Sequence, residues 1–314
     1  MTDRLFATLP DRGKTPSTKR ALDTWIQQAQ KATDMASRRL GWIVASSIVI
    51  AALQRAHHED GNACFLLKGG AYMEHKLGLR ARSTKDIDTL FRGDFDEFLS
   101  RLDEVFQEPW GTIQLERTAV DVIDNAKRVV KPRRFSVKLL LRGAVWRSVD
   151  VEVAPDEGRA GQEVECLPAP ELHHFGLPSP SAFTGIVLDY QVAQKLHACT
   201  DPHDPPFHLN ERARDVVDLI LIRDAFYPPE ADLSVLHAAC LHIFKTRADD
   251  ATRLGNIPIR AWPPTVVAHA PWEASFPIHA EQVGMTMGLG EAVEELNHWI
   301  ERIDASVNSL AVRV

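Results

Sequence analysis

The feature that most constrains this chain is a pair of short segments, one ending in glycines and the other carrying two aspartates. The apolar run 64–67 leads towards Gly69 and Gly70, and Asp86 and Asp88 follow on a second strand-like segment. Residues i and i+2 of a strand point to the same face, so both carboxylates project together beside the glycine turn. Two charges about 5 Å apart repel by about 3 kcal/mol at an effective dielectric of about 20. A divalent cation reverses that cost, and Mg²⁺ binds one or two carboxylates together with substrate phosphates. The pattern predicts a metal-dependent nucleotide site.

The glycine pair is itself suited to phosphate binding. Gly69 and Gly70 let the backbone approach a phosphate and offer N–H groups at the start of a helix. Their spacing matches neither a Walker loop nor a dinucleotide fingerprint, so both classes are excluded. A plain turn followed by surface aspartates is the alternative. The order of strand, glycines, short helix and acidic strand favours the nucleotide site.

A third carboxylate is expected, because tightly held catalytic metals usually have one more acidic ligand. The alternating run 149–153 carries Asp150 and Glu152 on one face of a predicted strand, which follows Arg142-Gly143 in a predicted hairpin. We prefer Glu152, although the sequence does not separate it from Asp150. Ordinary alternation of a solvent-facing strand would give the same pattern.

Lys195 is a lone lysine in an otherwise apolar stretch of a predicted helix. An unpaired ammonium is costly on an apolar face, so Lys195 either extends to water or meets a negative charge. Asp215 and Asp218 share a helix face at i and i+3 and could supply that charge. They could equally form a structural ion pair with Lys195 or Arg212.

Composition limits the protein class. The chain has 314 residues, 45% of them hydrophobic and 25% charged, which is ordinary for a soluble globular protein. The four cysteines are scattered, as expected for reduced thiols in the cytoplasm, and no signal pattern opens the chain. The histidines match no zinc motif, and we expect His173 and His174 to be exposed.

The net charge of −7 argues against non-specific coating of nucleic acid. A local basic cluster is still present, formed by Lys127, Arg128, Lys131, Arg133 and Arg134. It is either a solvated loop before a strand or a contact surface for the phosphates of an RNA.

The chain divides into four predicted parts. Residues 1–60 form N-terminal helices that pack on a catalytic core, residues 61–155. A linker rich in Pro, Gly and Glu spans 156–181. A helical domain, residues 182–314, opens with a helix over 183–198 and completes the site.

Several motifs resemble the AbiEii/AbiGii-type nucleotidyltransferase toxin family. The first is Leu67-Lys-Gly-Gly70 followed by Arg82-Ser-Thr-Lys-Asp-Ile-Asp88. A family helix that bears a functional lysine is similar to Tyr190-Gln-Val-Ala-Gln-Lys-Leu-His-Ala198. A later family motif is similar to Arg212-Ala-Arg-Asp-Val-Val-Asp-Leu219. Pro271-Trp272 and the terminal amphipathic helix resemble the family's C-terminal part. The resemblance covers about residues 60–305.

The resemblance implies a polymerase-β-like nucleotidyltransferase core, an α/β (α+β) arrangement with a mixed β-sheet, followed by a helical C-terminal domain. Asp215 would position substrate or act as a base, and Lys195 would neutralise phosphate charge. The implied catalytic residues are Asp86, Asp88, Lys195 and Asp215. The implied nucleotide-binding residues are Lys68, Gly69, Gly70, Arg82, Lys195 and Asp218. The metal ligands would be Asp86, Asp88 and, from the strand pattern, Glu152.

The implied activity is transfer of a nucleoside monophosphate from an NTP to an acceptor, with release of pyrophosphate. It would need Mg²⁺ or Mn²⁺. The favoured acceptor is the 3′ end of tRNA, and its modification would block translation and growth. A cognate antitoxin is an expected partner, with direct binding left open, and the protein is expected in the cytoplasm without a membrane partner.

Two alternatives remain. A same-fold enzyme could modify a protein or a small molecule, or the protein could be a catalytically idle nucleotide-binding partner. The family often has Ser or Thr directly after the second glycine, where this chain has Ala71. A hydroxyl contact to the triphosphate would then be missing, which bears on nucleotide affinity more than on the reaction class.

Overall fold

The computed structural model describes residues 6, 9–33, 37–124, 129–256 and 258–311. Its strands are β1 Phe65–Lys68, β2 Asp86–Phe91, β3 Gln114–Arg117, β4 Asp121–Val122, β5 Arg133–Leu141, β6 Ala144–Pro155, β7 Val164–Pro168 and β8 Ala182–Ile186. Its helices are α1 Lys19–Thr33, α2 Ser37–Leu53, α3 Gly69–Leu77, α4 Phe98–Gln107, α5 Leu188–Cys199, α6 Ala213–Phe226, α7 Ser234–Leu254, α8 Ala270–Glu281 and α9 Leu289–Ala311.

The strands form one mixed sheet in the order β3-β5-β6-β2-β1-β8-β7, with β4 beside β5. β2 runs parallel to β6 and β1 parallel to β8, whereas the other pairs are antiparallel. Helices α5 to α9 follow the sheet. The predicted class, an α/β (α+β) fold with a mixed sheet and a helical C-terminal region, is confirmed.

The predicted hairpin of β5 and β6 is also present. Arg142 and Gly143 form its turn with φ values of 51° and 76°. Positive φ at both central residues matches the twist of the two strands. The hairpin fixes the register of β6, and β6 in turn lies parallel to the strand that begins at Asp86.

Helix α2 supports the sheet from behind the catalytic strands. It is buried from Leu40 to Leu53, except for the half-buried Trp42, and it packs on α4 and β6. A helix that is apolar on all sides belongs in a core. None of the helices in the described ranges combines the length and apolar character needed to cross a membrane.

The prediction that 156–181 is a linker is wrong. β7 lies within it and pairs with β8, with Leu167 opposite Phe183, and a 3₁₀ turn, Leu172–Phe175, follows. β7 is an edge strand that ends at Pro168 and buries only Leu167, so no alternation marks it in the sequence.

The helical part opens with a strand, which corrects the predicted helix over 183–198. β8 joins the sheet at β1, and α5 begins only at Leu188. A Cβ at Gly185 would lie 2.8 Å from the Tyr72 ring and 3.0 Å from the Leu67 carbonyl oxygen. The close approach of β8 to β1 therefore requires glycine at 185. The predicted boundaries at residues 60 and 155 stay predictions.

Candidate active site

The glycine turn joins β1 to α3. Gly69 has φ +64°, and a Cβ there would lie 2.1 Å from Asp88 Oδ2. A Cβ at Gly70 would lie 2.7 Å from Thr84 Oγ1. Both positions need glycine because the acidic segment lies directly against the turn. The first N–H groups of α3 have no acceptor within the helix, as at every helix start.

The two aspartates lie on the same face of β2. β1 and β2 are antiparallel with Lys68 opposite Asp88, and Ile87 between the aspartates is fully buried on the other face. Asp86 Oδ1 accepts a hydrogen bond of 2.9 Å from the Thr84 hydroxyl. The structure thus brings Asp86, Asp88 and the glycine turn together.

The register of β2 with β6 separates the two candidates for a third carboxylate. Asp86 lies opposite Asp150, and Asp88 lies opposite Glu152. Asp150 is exposed and accepts a hydrogen bond from the Ser136 hydroxyl. Glu152 is half-buried opposite Asp88, whose carboxylate lies against the glycine turn. The geometry favours Glu152, the residue preferred from the sequence.

These carboxylates fit a divalent cation. Burial raises the pKa of Asp88, and the charges of Asp86 and Glu152 raise it further, against the opposing charge of Lys68. A cation would relieve this repulsion. Within the part of the chain that the structure describes, the three carboxylates do not gather with all ligand oxygens within 4.8 Å of one another. One reason is visible, since Glu152 Oε2 is held 2.9 Å from Arg134 Nη2.

A second charged cluster links the helical part to the turn. Lys195 Nζ lies 2.7 Å from Asp215 Oδ1 and 2.7 Å from Asp218 Oδ2. Arg82 donates two hydrogen bonds to the Asp218 carboxylate, of 3.0 and 3.1 Å. Arg212 Nη1 lies 3.8 Å from Asp215 Oδ2. Lys195 meets its carboxylates, which is the second of the two outcomes that its sequence position allows.

The network holds its members charged. Burial favours the neutral amine of Lys195, but the charges of Asp215 and Asp218 outweigh it and raise the pKa. Burial alone would raise the pKa of Asp215, but Lys195, Arg212 and Arg214 lower it to about 2. A general base works best with a pKa near the operating pH. The lowered pKa therefore favours the positioning role of Asp215 over the role of a base.

Helix α5 also touches the glycine turn directly. The Gly69 N–H donates to Gln191 Oε1 at 3.1 Å, and Gln191 is 2% exposed. Its Nε2 has no hydrogen-bond partner among the described residues. A buried donor without an acceptor is costly, and a bound phosphate would supply the acceptor. Arg82 approaches the same place, because its Nη2 would lie 3.7 Å from a Cβ at Gly70.

Sequence reasoning missed three residues of this region, Thr84, Gln191 and His279. Thr84 and Gln191 lie inside motifs that the sequence marks, and only their individual roles were hidden. His279, on α8, carries no local signal. Its Nδ1 is buried without a hydrogen-bond partner in the described ranges, and burial together with Arg82 and Arg214 lowers its pKa.

A glycine turn that opens a helix, paired aspartates beside it and a helix that brings a buried lysine to the site are the arrangement expected of a nucleotidyltransferase. The chain belongs to the AbiEii family, because the family model described as nucleotidyl transferase AbiEii toxin of a type IV toxin–antitoxin system matches residues 51–284. The resemblance seen in the sequence is confirmed, and the protein is an enzyme of this toxin family.

Two solved structures are similar to this chain. JHP933 from Helicobacter pylori is 16% identical, with a TM-score of 0.44 and coverage of 88% of this chain and 99% of that chain. MenT4, a nucleotidyltransferase toxin from Mycobacterium tuberculosis, is 16% identical, with a TM-score of 0.49 and coverage of 91% of this chain and 97% of that chain. No curated protein matches the chain.

Proposed function

We propose that the protein transfers a nucleoside monophosphate from an NTP to the 3′ end of a tRNA, in a reaction that depends on Mg²⁺ or Mn²⁺. The observation that carries the proposal is the contact between Gly69 and Asp88, with Glu152 opposite Asp88 in the sheet. It unites a phosphate-binding turn with a set of carboxylates. In the reaction the acceptor oxygen forms a bond to the α-phosphorus of the NTP. The bond between the α-phosphorus and the oxygen that bridges to the β-phosphate breaks, and pyrophosphate leaves.

Asp86, Asp88 and Glu152 would hold the cation. A divalent cation at such a site offsets phosphate charge and makes the acceptor hydroxyl more acidic. The protein's own part is to hold these carboxylates beside the turn. Thr84 fixes the orientation of Asp86, and Arg134 holds Glu152 until substrate binds.

The triphosphate would lie against the turn and the cationic side chains behind it. The N–H groups that open α3 point towards an anion bound at the helix start. Arg82, Lys195 and Arg212 contact the carboxylates of Asp215 and Asp218, and Arg212 also lies 3.5 Å from Asp201 Oδ2. These cations would favour binding of the triphosphate and stabilise charge on the departing pyrophosphate.

A tRNA acceptor is supported by the family resemblance and by Arg134. The Arg134 side chain is 61% exposed beside Glu152, so it can reach a phosphate of an incoming strand. Arg133 packs over the Phe95 ring, and Lys131 bonds to Asp124. Lys127 and Arg128, the remaining members of the basic cluster, lie outside the described residues.

The acceptor is tested by labelling. The protein is incubated with each α-labelled NTP, Mg²⁺ or Mn²⁺, total RNA and cell lysate, and labelled species are separated by size. We expect label on RNA of tRNA length, lost after ribonuclease treatment. Label on protein or on a small molecule would refute the tRNA acceptor while leaving nucleotide transfer intact. If no NTP were consumed with either cation, the proposed reaction would be wrong.

Two variants of β5 locate the RNA contact. Arg134→Gln should raise the KM for tRNA and reduce its dependence on salt, because one phosphate contact is lost. Lys138→Gln is the matched control, an exposed cation on the same strand. Equal effects of the two changes would show that no specific contact is made at Arg134.

The protein is further proposed to act in the cytoplasm, where NTPs and tRNA are present, and its four cysteines are all free thiols. A cognate antitoxin follows from the family. Co-expression of the antitoxin gene followed by affinity purification tests direct binding. Recovery of the protein alone, with growth restored, would instead indicate an antitoxin that acts without a stable complex.

A further inference from the structure

A cluster of two histidines and an aspartate lies outside the active site. Asp11 Oδ1 is 3.0 Å from His173 Nε2 and 3.3 Å from His174 Nδ1. All three ligand atoms lie within 4.8 Å of one another. His173 is exposed as expected from the sequence, but His174 is 6% exposed, so the expectation for that residue is wrong. The 3₁₀ turn Leu172–Phe175 directs its ring inwards, towards Asp11.

His174 is the residue that needs an explanation. Neither of its ring nitrogens has a hydrogen-bond partner among the described residues, although Asp11 lies within contact distance. Buried polar groups are normally satisfied, and each exception calls for a cause such as an ion. An ion held between His174 Nδ1 and Asp11 would satisfy both groups.

The spacing of the ligand atoms agrees with a shared cation. Zinc–nitrogen and zinc–oxygen bonds are about 2.0–2.1 Å long, so neighbouring ligands of a tetrahedral site lie about 3.3 Å apart. The two distances from Asp11 Oδ1, 3.0 and 3.3 Å, are close to that value.

The outer nitrogens of the two rings are also placed as in metal sites. His174 Nε2 lies 3.5 Å from Glu171 Oε2, and His173 Nδ1 lies 3.2 Å from Ser179 Oγ. A histidine that binds a metal usually gives its second ring N–H to a carboxylate or another acceptor, which fixes the ring. The His173 ring therefore has a hydrogen-bonded outer partner, and the outer nitrogen of His174 has a carboxylate nearby.

We propose that Asp11, His173 and His174 bind a borderline divalent cation such as Zn²⁺ at a site separate from the catalytic carboxylates. Two imidazoles select Zn²⁺, Co²⁺ or Ni²⁺ over Mg²⁺. The Asp11 side chain is 79% exposed and that of His173 is 45% exposed, so water can fill the remaining coordination position. The bound ion ties the segment that precedes α1 to the connection between β7 and β8.

The neighbouring contacts agree with this role. Phe6 packs edge-on against Phe175 with ring centroids 5.2 Å apart, so the N-terminal segment already lies over the 3₁₀ turn. A Cβ at Gly176 would lie 2.3 Å from the Lys14 carbonyl oxygen. The ion would lock a segment that is otherwise held by few buried side chains.

The test is a Co²⁺ titration of the full chain in excess Mg²⁺, which occupies the catalytic carboxylates. We expect one equivalent of Co²⁺ with a visible spectrum typical of tetrahedral N/O ligation, displaced by Zn²⁺. His173→Gln and Asp11→Asn should abolish the spectrum, and both replace exposed side chains, so the fold should persist. His298→Gln, an exposed histidine on α9, is the matched control and should bind Co²⁺ unchanged.

A second measurement reports on the segment itself. Trypsin cleavage after Arg12 and Lys14 should slow several-fold when Zn²⁺ is bound and return to its starting rate with a chelator. His173→Gln should show no protection at any Zn²⁺ concentration. Three results would overturn the proposal. They are wild-type protein that binds less than one equivalent of Co²⁺, equal Co²⁺ binding by wild type and His173→Gln, and no protection of the wild type from trypsin by Zn²⁺.

Discussion

Replacing Gly69 with alanine should lower the activity of the protein far more than the stability of its fold. The residue has φ +64°, a conformation that costs an L-residue about 1–2 kcal/mol. The new Cβ would also lie 2.1 Å from Asp88 Oδ2 and 2.7 Å from Asp88 Cβ. Because the Asp88 Cβ is itself too close, rotation of that side chain does not relieve the overlap. The strand or the turn must move.

The size of the movement sets the expected loss. Ordinary contact of a Cβ begins at 3.4 Å, so the 2.7 Å approach to the Asp88 Cβ, which rotation does not relieve, requires a backbone shift of about 0.7 Å. A misplacement of about 1 Å costs a catalytic site about 100-fold. We therefore expect Gly69→Ala to lower kcat for NTP turnover by more than about 10-fold, with a loss of stability of only a few kcal/mol.

Gly255→Ala is the matched control. Gly255 has φ +65°, and a Cβ there meets no atom within 4 Å. It carries the same backbone strain without the overlap, so stability should fall by about 1–2 kcal/mol while turnover is kept. Urea unfolding and steady-state pyrophosphate release measure the two effects. Near-normal turnover in Gly69→Ala would refute the close packing of the turn on Asp88.

Three further results are expected. Asp86→Ala should keep the fold and relieve growth arrest on expression, whereas Asp96→Ala, which changes an exposed loop residue, should stay toxic. Continued growth arrest by Asp86→Ala would contradict the role of Asp86 as a metal ligand. Lys195→Met should cost about 3–5 kcal/mol in urea unfolding, because it removes the buried cation that contacts both Asp215 and Asp218 and leaves them only Arg212 and Arg82. A loss below about 1 kcal/mol would show that the network is solvated. The pKa of Asp215 is lowered from 3.8 to about 2, so its charged form stabilises the fold by about 2 kcal/mol above pH 3.8, and this stabilisation is lost as the pH falls towards 2. The free energy of unfolding measured from pH 5 to 2 should therefore depend less on pH in Asp215→Asn than in the wild type. An equal pH dependence in both proteins would count against the shift.

The sequence predicts the parts of the site that are local. β1, the glycine turn, α3 and β2 follow within 27 residues, from Phe65 to Phe91, so strand periodicity and glycine chemistry place them together. The predicted face shared by Asp86 and Asp88 needs no tertiary information. The hairpin of β5 and β6 is local in the same sense, because Arg142 and Gly143 mark its turn.

The parts that depend on register or distant packing could not be predicted. Asp150 and Glu152 share a face of β6, and only the parallel pairing with β2 shows that Glu152 lies opposite Asp88. The pairing of Arg82 with Asp218 joins residues 136 positions apart. β8 was mistaken for the start of a helix, because one of its buried positions is Gly185, which has no apolar side chain to mark the short alternation in the sequence.

The charged cluster explains why the helical part has to close this site. Asp218 bonds both Arg82 and Lys195, so it is the junction between the segment before β2 and helix α5. Without it, two buried cations would face each other beside the turn. Asp215 pairs with Lys195, and Asp201 pairs with Arg212, so the charged groups of the cluster have partners. A triphosphate that uses Arg82 and Lys195 needs α5 and α6 in place, because these helices hold both cations. Nucleotide binding should therefore depend on the helical residues as strongly as on the glycine turn.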